Sequence, residues 1–124
     1  MLPGYGGVMV RTKNKFKAAK HELNGHTFAS GREKRRYQQL LVLERAGKIK
    51  NLELQPKYEI IPKQIKSDGK AERAAVYTAD FRYIEEGMLV VEDVKSKATA
   101  KLADYVLRRK LMLAVHGIEV REVF

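Results

Sequence analysis

The sequence has no cysteine, which removes disulfides and thiolate metal sites and makes a reducing cytoplasm the expected setting. Its three histidines (His21, His26 and His116) are scattered and lack the spacing of a zinc site. No apolar run approaches the roughly 20 residues of a membrane span, and the N-terminus has no signal-peptide core, so no membrane association is expected. Internal repeats, Pro/Gly-rich linkers and low-complexity blocks are also missing. Acidic residues are scarce at the start: Arg11, Lys13, Lys15, Lys17 and Lys20 all precede the first carboxylate. What remains is 124 residues, enough for one domain with one core.

The net charge is +10. Besides the N-terminal cluster, cations gather at 32–36 (Arg-Glu-Lys-Arg-Arg) and at 108–110 (Arg-Arg-Lys). Such a surface fits a polyanion. Nucleic acid is favoured over a membrane because no strongly amphipathic aromatic helix accompanies the charge. Charge alone fits a merely soluble basic surface equally well.

Residues 1–19 read as a Gly-rich basic arm without hydrophobic period, and 20–124 are expected to make a single domain. Asn24-Gly25 is a hairpin signal. Ser30-x-x-Glu33 fits a capping box that opens a helix whose apolar side is Tyr37, Leu40, Leu41 and Leu43, with Gly47 ending it. Residues 51–61 alternate as a strand broken at Pro56, and 63–73 read as a polar loop. Strands are expected over 74–84 and 88–95. A second helix follows over 97–116 with Leu102, Tyr105, Val106 and Leu113 inward, and after Gly117 comes a last strand. Helix, three strands, helix, strand predicts an α/β fold with a mixed sheet flanked by helices.

Within this frame "VVEDVK" (90–95) stands out, because a core strand rarely holds two carboxylates and an ammonium. Alternation puts Asp93 and Lys95 on one face and Val94 on the other; Glu92 faces away from Asp93, a structural position expected to pair with a basic residue. If Glu86-Gly87 is a two-residue turn, Glu85 pairs with Met88, Asp80 lies opposite Asp93 and Thr78 opposite Lys95. Two carboxylates at roughly 5 Å Cβ separation repel, and a divalent cation between them reverses the sign. Oxygen donors without Cys or His suit Mg²⁺ or Mn²⁺. The plainer account is a salt-bridge cluster on a solvated sheet face. Glu33 has a plain account too, closing the capping box with Ser30, against which its place on the helix face turned toward the sheet asks for a partner such as a metal.

Asp80, followed thirteen residues later by Asp93-Val94-Lys95 on a hydrophobic strand, resembles the motif of the PD-(D/E)XK nuclease superfamily. The wider pattern "GHTFASGREKRRY", "LELQP", "ADFRY" and "VVEDVK" is similar to small phage- and prophage-encoded proteins of that superfamily, over residues 20–124. Ala79 stands where a Pro often precedes the first Asp. The acid before x-Lys is Asp93 in place of the commoner Glu, which leaves Glu92 beside it as the other candidate ligand. The resemblance implies a restriction-endonuclease-like core and a Mg²⁺- or Mn²⁺-dependent DNA endonuclease. In that role Asp80, Asp93 and Glu33 would hold metal and Lys95 would act on water or phosphate. Arg11, Lys13, Lys15, Lys17, Arg32, Lys34, Arg35, Arg36, Lys97 and Lys101 would hold the backbone. It further implies cleavage of branched DNA or Holliday junctions in phage recombination or packaging, as a homodimer in the host cytoplasm. The alternatives are a nuclease subunit of a larger recombination machine and a non-catalytic nucleic-acid-binding protein.

Overall fold

A computed structural model describes residues 21–124. The expected arm, with Arg11, Lys13, Lys15 and Lys17, lies outside the described residues, as does the expected boundary at 19 and 20. The chain forms two compact units, residues 1–41 and 42–124, which divide within the first helix.

In the first unit, strands β1 (Glu22–Leu23) and β2 (His26–Thr27) make the expected hairpin, with Leu23 opposite His26. Its turn needs two positive φ angles; Asn24 and Gly25 supply 53° and 77°. Helix α1 (Gly31–Arg45) starts where Ser30 Oγ accepts the Glu33 N–H at 3.2 Å, the forward half of the capping box. Glu33, Tyr37 and Leu40, spaced at i, i+4 and i+7, are its buried residues, and Phe28 packs on Tyr37 with ring centroids 5.2 Å apart.

The second unit is built on a four-stranded sheet in the order β10-β9-β8-β3. Strands β3 (Ile49–Leu54), β8 (Phe81–Glu85) and β9 (Met88–Val94) are antiparallel neighbours, and β10 (Arg121–Val123) runs parallel to β9. The sheet is therefore mixed and the fold α/β. The turn at Glu86-Gly87 sets Glu85 opposite Met88, as expected, and this register holds as far as Phe81 opposite Glu92.

Two expected strands are each split. Residues 51–61 break at Gln55-Pro56 into β3 and β4 (Lys57–Ile61); residues 74–84 break at Ala79-Asp80 into β7 (Ala75–Thr78) and β8. The two breaks face each other: Gln55 N–H donates to Asp80 O at 2.9 Å and Ala79 N–H to Pro56 O at 3.1 Å. Pro56 has no N–H to continue a ladder, and Gln55 turns through φ 53°, so both chains change partners there. Beyond the break β4 pairs only with β7. The expected loop 63–73 instead holds two short paired strands, β5 (Gln64–Ile65) and β6 (Ala71–Glu72).

The second helix is shorter than expected. Residues 99–101 form a 3₁₀ turn and helix α2 runs over Ala103–His116, with Leu102 extended at its N-cap. Ser96 and Thr99 exchange side-chain-to-backbone bonds of 2.8 and 3.1 Å, a local arrangement that competes with helix. The inward face also differs from the one expected. Tyr105 and Met112, seven apart, are buried, whereas Leu102 and Leu113, expected inward, are exposed. Ile60, Tyr77, Ala79, Val91, Tyr105, Met112 and Val120 form the core between α2 and the strands. Gly117 at φ 68° ends α2, its N–H bonded to the Leu113 and Met112 carbonyls, a conformation that favours glycine. Among the described residues no helix is long and apolar enough to cross a membrane.

Candidate active site

Alternation along β9 sorts its side chains onto two faces. Val91 joins the core beneath α2, and Asp93 emerges beside it on the same face. Val90 and Glu92 take the other face, with Phe81 and Tyr83 from β8, and all four are buried.

The break between β7 and β8 opens the first face. Asp80 is not a cross-strand partner of Asp93, as the extrapolated register required, because the ladder stops at Phe81 opposite Glu92. Its N–H donates to Glu92 O at 3.2 Å and its Oδ2 accepts the Val94 N–H at 2.7 Å. Nor does Thr78 lie opposite Lys95; it pairs with Lys57, since β7 has left the main sheet. The carboxylates still interact. Asp93 is 4% exposed, and burial first, then its hydrogen bond to and repulsion by Asp80, push its carboxyl up to about 7. Two groups pull the other way: the Tyr77 hydroxyl, which donates to Asp93 Oδ2, and the Lys95 ammonium, 4.0 Å from the same oxygen. Burial and the Asp93 charge hold the Tyr77 hydroxyl well above its ordinary value, so it stays a donor. Lys95 is also fixed from outside, its ammonium 4.1 Å from the centroid of the Tyr105 ring. Tyr105 in turn donates to Glu122 Oε2 at 2.8 Å.

These groups line a cleft of about 210 Å³ bounded by Tyr77, Thr78, Asp80, Asp93, Lys95, Asp104, Tyr105 and Arg108. A buried acid whose carboxyl is pushed up to about 7, a second acid and an ammonium line the same open cleft. That arrangement is more than a solvated salt-bridge face, because Asp93 is desolvated and the pair repels when both ionise.

Of the expected catalytic set, the second unit brings together Asp80, Asp93 and Lys95. Glu33 lies in the first unit, buried on α1. Among the described residues no group of three or more His, Asp or Glu side chains is close enough to hold a metal ion together; of the three carboxylates that line the cleft, Asp80 and Asp93 interact directly and Asp104 stands on α2. Glu92 does not line the cleft. It is fully buried and accepts the Tyr83 hydroxyl at 2.6 Å, and Arg121 reaches that hydroxyl at 3.4 Å, so the basic residue expected beside Glu92 meets it through Tyr83. Of the expected backbone-binding cations, Arg32 and Arg35 are exposed on α1, while Lys34 and Arg36 are half-buried there. Lys97 and Lys101 are exposed, but precede α2 instead of lying on it.

Tyr77, Asp104 and Arg108 were not foreseen. Tyr77 reads as one more apolar strand residue, and its signal is its position three residues before Asp80. Arg108 stands in the 108–110 basic cluster, one helical turn after Asp104.

A mixed-sheet α/β unit whose central strand presents a buried carboxylate and a lysine to a polar cleft is the class that fold and site define. Over residues 13–122 the chain matches the model of a family described as proteins of unknown function (DUF1064), and it belongs to that family. No curated protein and no solved structure matches it.

Proposed function

We propose that this protein is a metal-dependent DNA endonuclease with a PD-(D/E)XK-type site on a restriction-endonuclease-like core, selective for branched DNA such as four-way junctions. The observation that supports it is the convergence of Asp80, Asp93 and Lys95 on one cleft, from the break before β8 and the end of β9, at the spacing which that motif uses. The element order, one helix, an antiparallel group of strands, a second helix and a strand added in parallel, supports it as well.

The donor set fits a hard divalent cation: the carboxylates of Asp80, Asp93 and Asp104 line the cleft, no sulfur or imidazole does, and the Asp80–Asp93 pair is destabilised when both groups ionise. Asp80 and Asp93 would hold Mg²⁺ or Mn²⁺, which supplies a water of lowered pKa and offsets charge on the phosphate. Asp80 is held in place by the Val94 N–H, and Tyr77 orients Asp93 through its hydroxyl. Lys95, braced on Tyr105, places a positive charge where negative charge grows on the phosphate. Arg108 at the rim offers a backbone contact, which adds affinity without reading sequence.

The test incubates purified full-length protein with labelled four-way junction, duplex, single-stranded DNA and RNA, in Mg²⁺ or in EDTA. Cleavage of DNA in Mg²⁺, strongest on the junction and absent in EDTA and in Asp93→Asn, is expected. Absence of cutting on every substrate, with Mg²⁺ or Mn²⁺ and at several pH values, would refute the proposal.

A further inference from the structure

Strands β4 to β7 are more than two separate pairs. Ile61 faces Ala75, Gln64 faces Glu72 and Ile65 faces Ala71, so one register runs through all three. They form a single two-stranded ribbon, interrupted where Pro62 has no N–H to give. Its end is closed by a turn in which Gly69 N–H bonds to Lys66 O at 2.9 Å and Lys70 N–H to Asp68 Oδ1 at 2.9 Å. All residues from Pro62 to Arg73 are exposed. Five residues of strand reach about 16 Å.

The charges on this ribbon are placed against its own stability. Its register sets Lys63 opposite Arg73, and Lys66 N–H bonds to Lys70 O at 2.8 Å, which brings a second pair of cations together at the tip. Like charges directly opposite destabilise a hairpin, and an isolated two-stranded hairpin is marginal to begin with. Among the described residues none of the four makes an ion pair. The next pair toward the tip on the Lys63–Arg73 face is Ile65, 65% exposed, and Ala71, with no acid; Lys66 and Lys70 take the other face, with Gln64 and Glu72. By strand alternation Arg73 lies on the same side of its strand as Ala75 and Tyr77, and Tyr77 is the residue that reaches Asp93 in the cleft.

We infer that this ribbon is a duplex-binding arm: Lys63, Lys66, Lys70 and Arg73 grip the phosphate backbone of double-stranded DNA and direct the duplex toward the Asp80–Asp93 cleft. A two-stranded ribbon has the width of the major groove, and closely opposed cations fit a line of phosphates. The inference rests on the nucleic-acid reading above and adds the surface and the form of nucleic acid it takes.

The experiment compares three full-length proteins: wild type, the ribbon variant Lys63→Gln/Lys66→Gln/Lys70→Gln/Arg73→Gln, and a control with the same loss of charge, Arg45→Gln/Lys48→Gln/Lys50→Gln/Lys110→Gln. Each is titrated by fluorescence anisotropy with a labelled 20-base-pair duplex, and with a single strand, over a range of salt in EDTA. The ribbon variant should bind duplex at least about tenfold more weakly than wild type at 0.1 M salt, with the slope of log K against log[salt] flattened by about 2–4. The control should lose less than half of that, and melting should be unchanged or raised in the ribbon variant. Equal losses in both variants, or unchanged duplex affinity and slope in the ribbon variant, would overturn the inference. So would loss confined to the single strand. Cutting is scored separately: a wild type that binds duplex through the ribbon but never cuts refutes the nuclease and leaves the arm, while a ribbon variant that binds and cuts like wild type refutes the arm alone.

Discussion

Glu92 and Asp93 are neighbours in sequence, both carboxylates and both buried, and they sit in opposite circumstances. Glu92 is sealed on one face of the sheet, with the Tyr83 hydroxyl donating to it. Asp93 emerges on the other face at the lip of a cleft, where burial first and a second carboxylate next raise its affinity for a proton. The difference comes from one step along a strand and from the break at Asp80, which unroofs one face only. A buried acid met by donors is structural; a buried acid facing another acid, with water in reach, is available for chemistry.

The comparison is sharpest in cleavage. Asp93→Asn should lower cutting by about 10³-fold or more, because it removes one of the two charges expected to hold the cation, while metal-free DNA binding stays equal or tightens. Initial rates of junction nicking and EDTA anisotropy check both halves. Lys95→Ala should follow, with a loss of about 10²-fold at nearly unchanged affinity; single-turnover rates at saturating protein distinguish this from weaker binding.

A third test concerns stability. Asp93 has a folded value of about 7 against an ordinary 3.8. Between those values the folded protein keeps a proton that the unfolded chain releases. Stability from this group is therefore fully present below about pH 4, falls as pH rises, and is lost above about 7. In EDTA, urea midpoints from pH 4 to 8 should show this slope in wild type, amounting to a few kcal/mol, and a flatter one in Asp93→Asn. A steeper slope in the variant would mean that another group is responsible.

Tyr77→Phe removes the hydroxyl that holds Asp93 and should cost about 1.5–3 kcal/mol of stability near pH 8, where the carboxylate is charged, and less near pH 5. Melting at the two pH values reads it. The smallest effect on cutting is expected on the sealed face: Glu92→Gln keeps an acceptor for Tyr83, and its nicking rate should stay within about threefold of wild type. Inactivity of Glu92→Gln with activity of Asp93→Asn would invert the assignment of the faces.

The elements that could be read directly were those written in local chemistry. Asn24-Gly25, the Ser30 cap, Gly47, Glu86-Gly87 and Gly117 each impose a backbone conformation on their own few residues, and each sits where expected. Alternation likewise separated Asp93 from Glu92. The second helix starts later than expected because the Ser96–Thr99 bonds hold the chain ahead of it, which leaves Leu102 at an exposed N-cap; Leu113 is exposed because the face that α2 packs carries Tyr105 and Met112.

By itself, then, the sequence determined the basic surface, the α/β order of elements, the hairpin register between β8 and β9, and the side of β9 on which Asp93 stands. All of these follow from single residues or from a period of two. Only the tertiary structure decided that β4 and β7 peel away from the main sheet, that Asp80 takes the Val94 N–H and meets Asp93 from the break instead of as its ladder partner, that Tyr77 joins the site, and that residues 62–73 are a ribbon. Those outcomes depend on which strands remain partners past Pro56, a choice made by pairing between separate segments, such as Gln55 with Asp80 and Tyr77 with Asp93, for which no local spacing carries a signal.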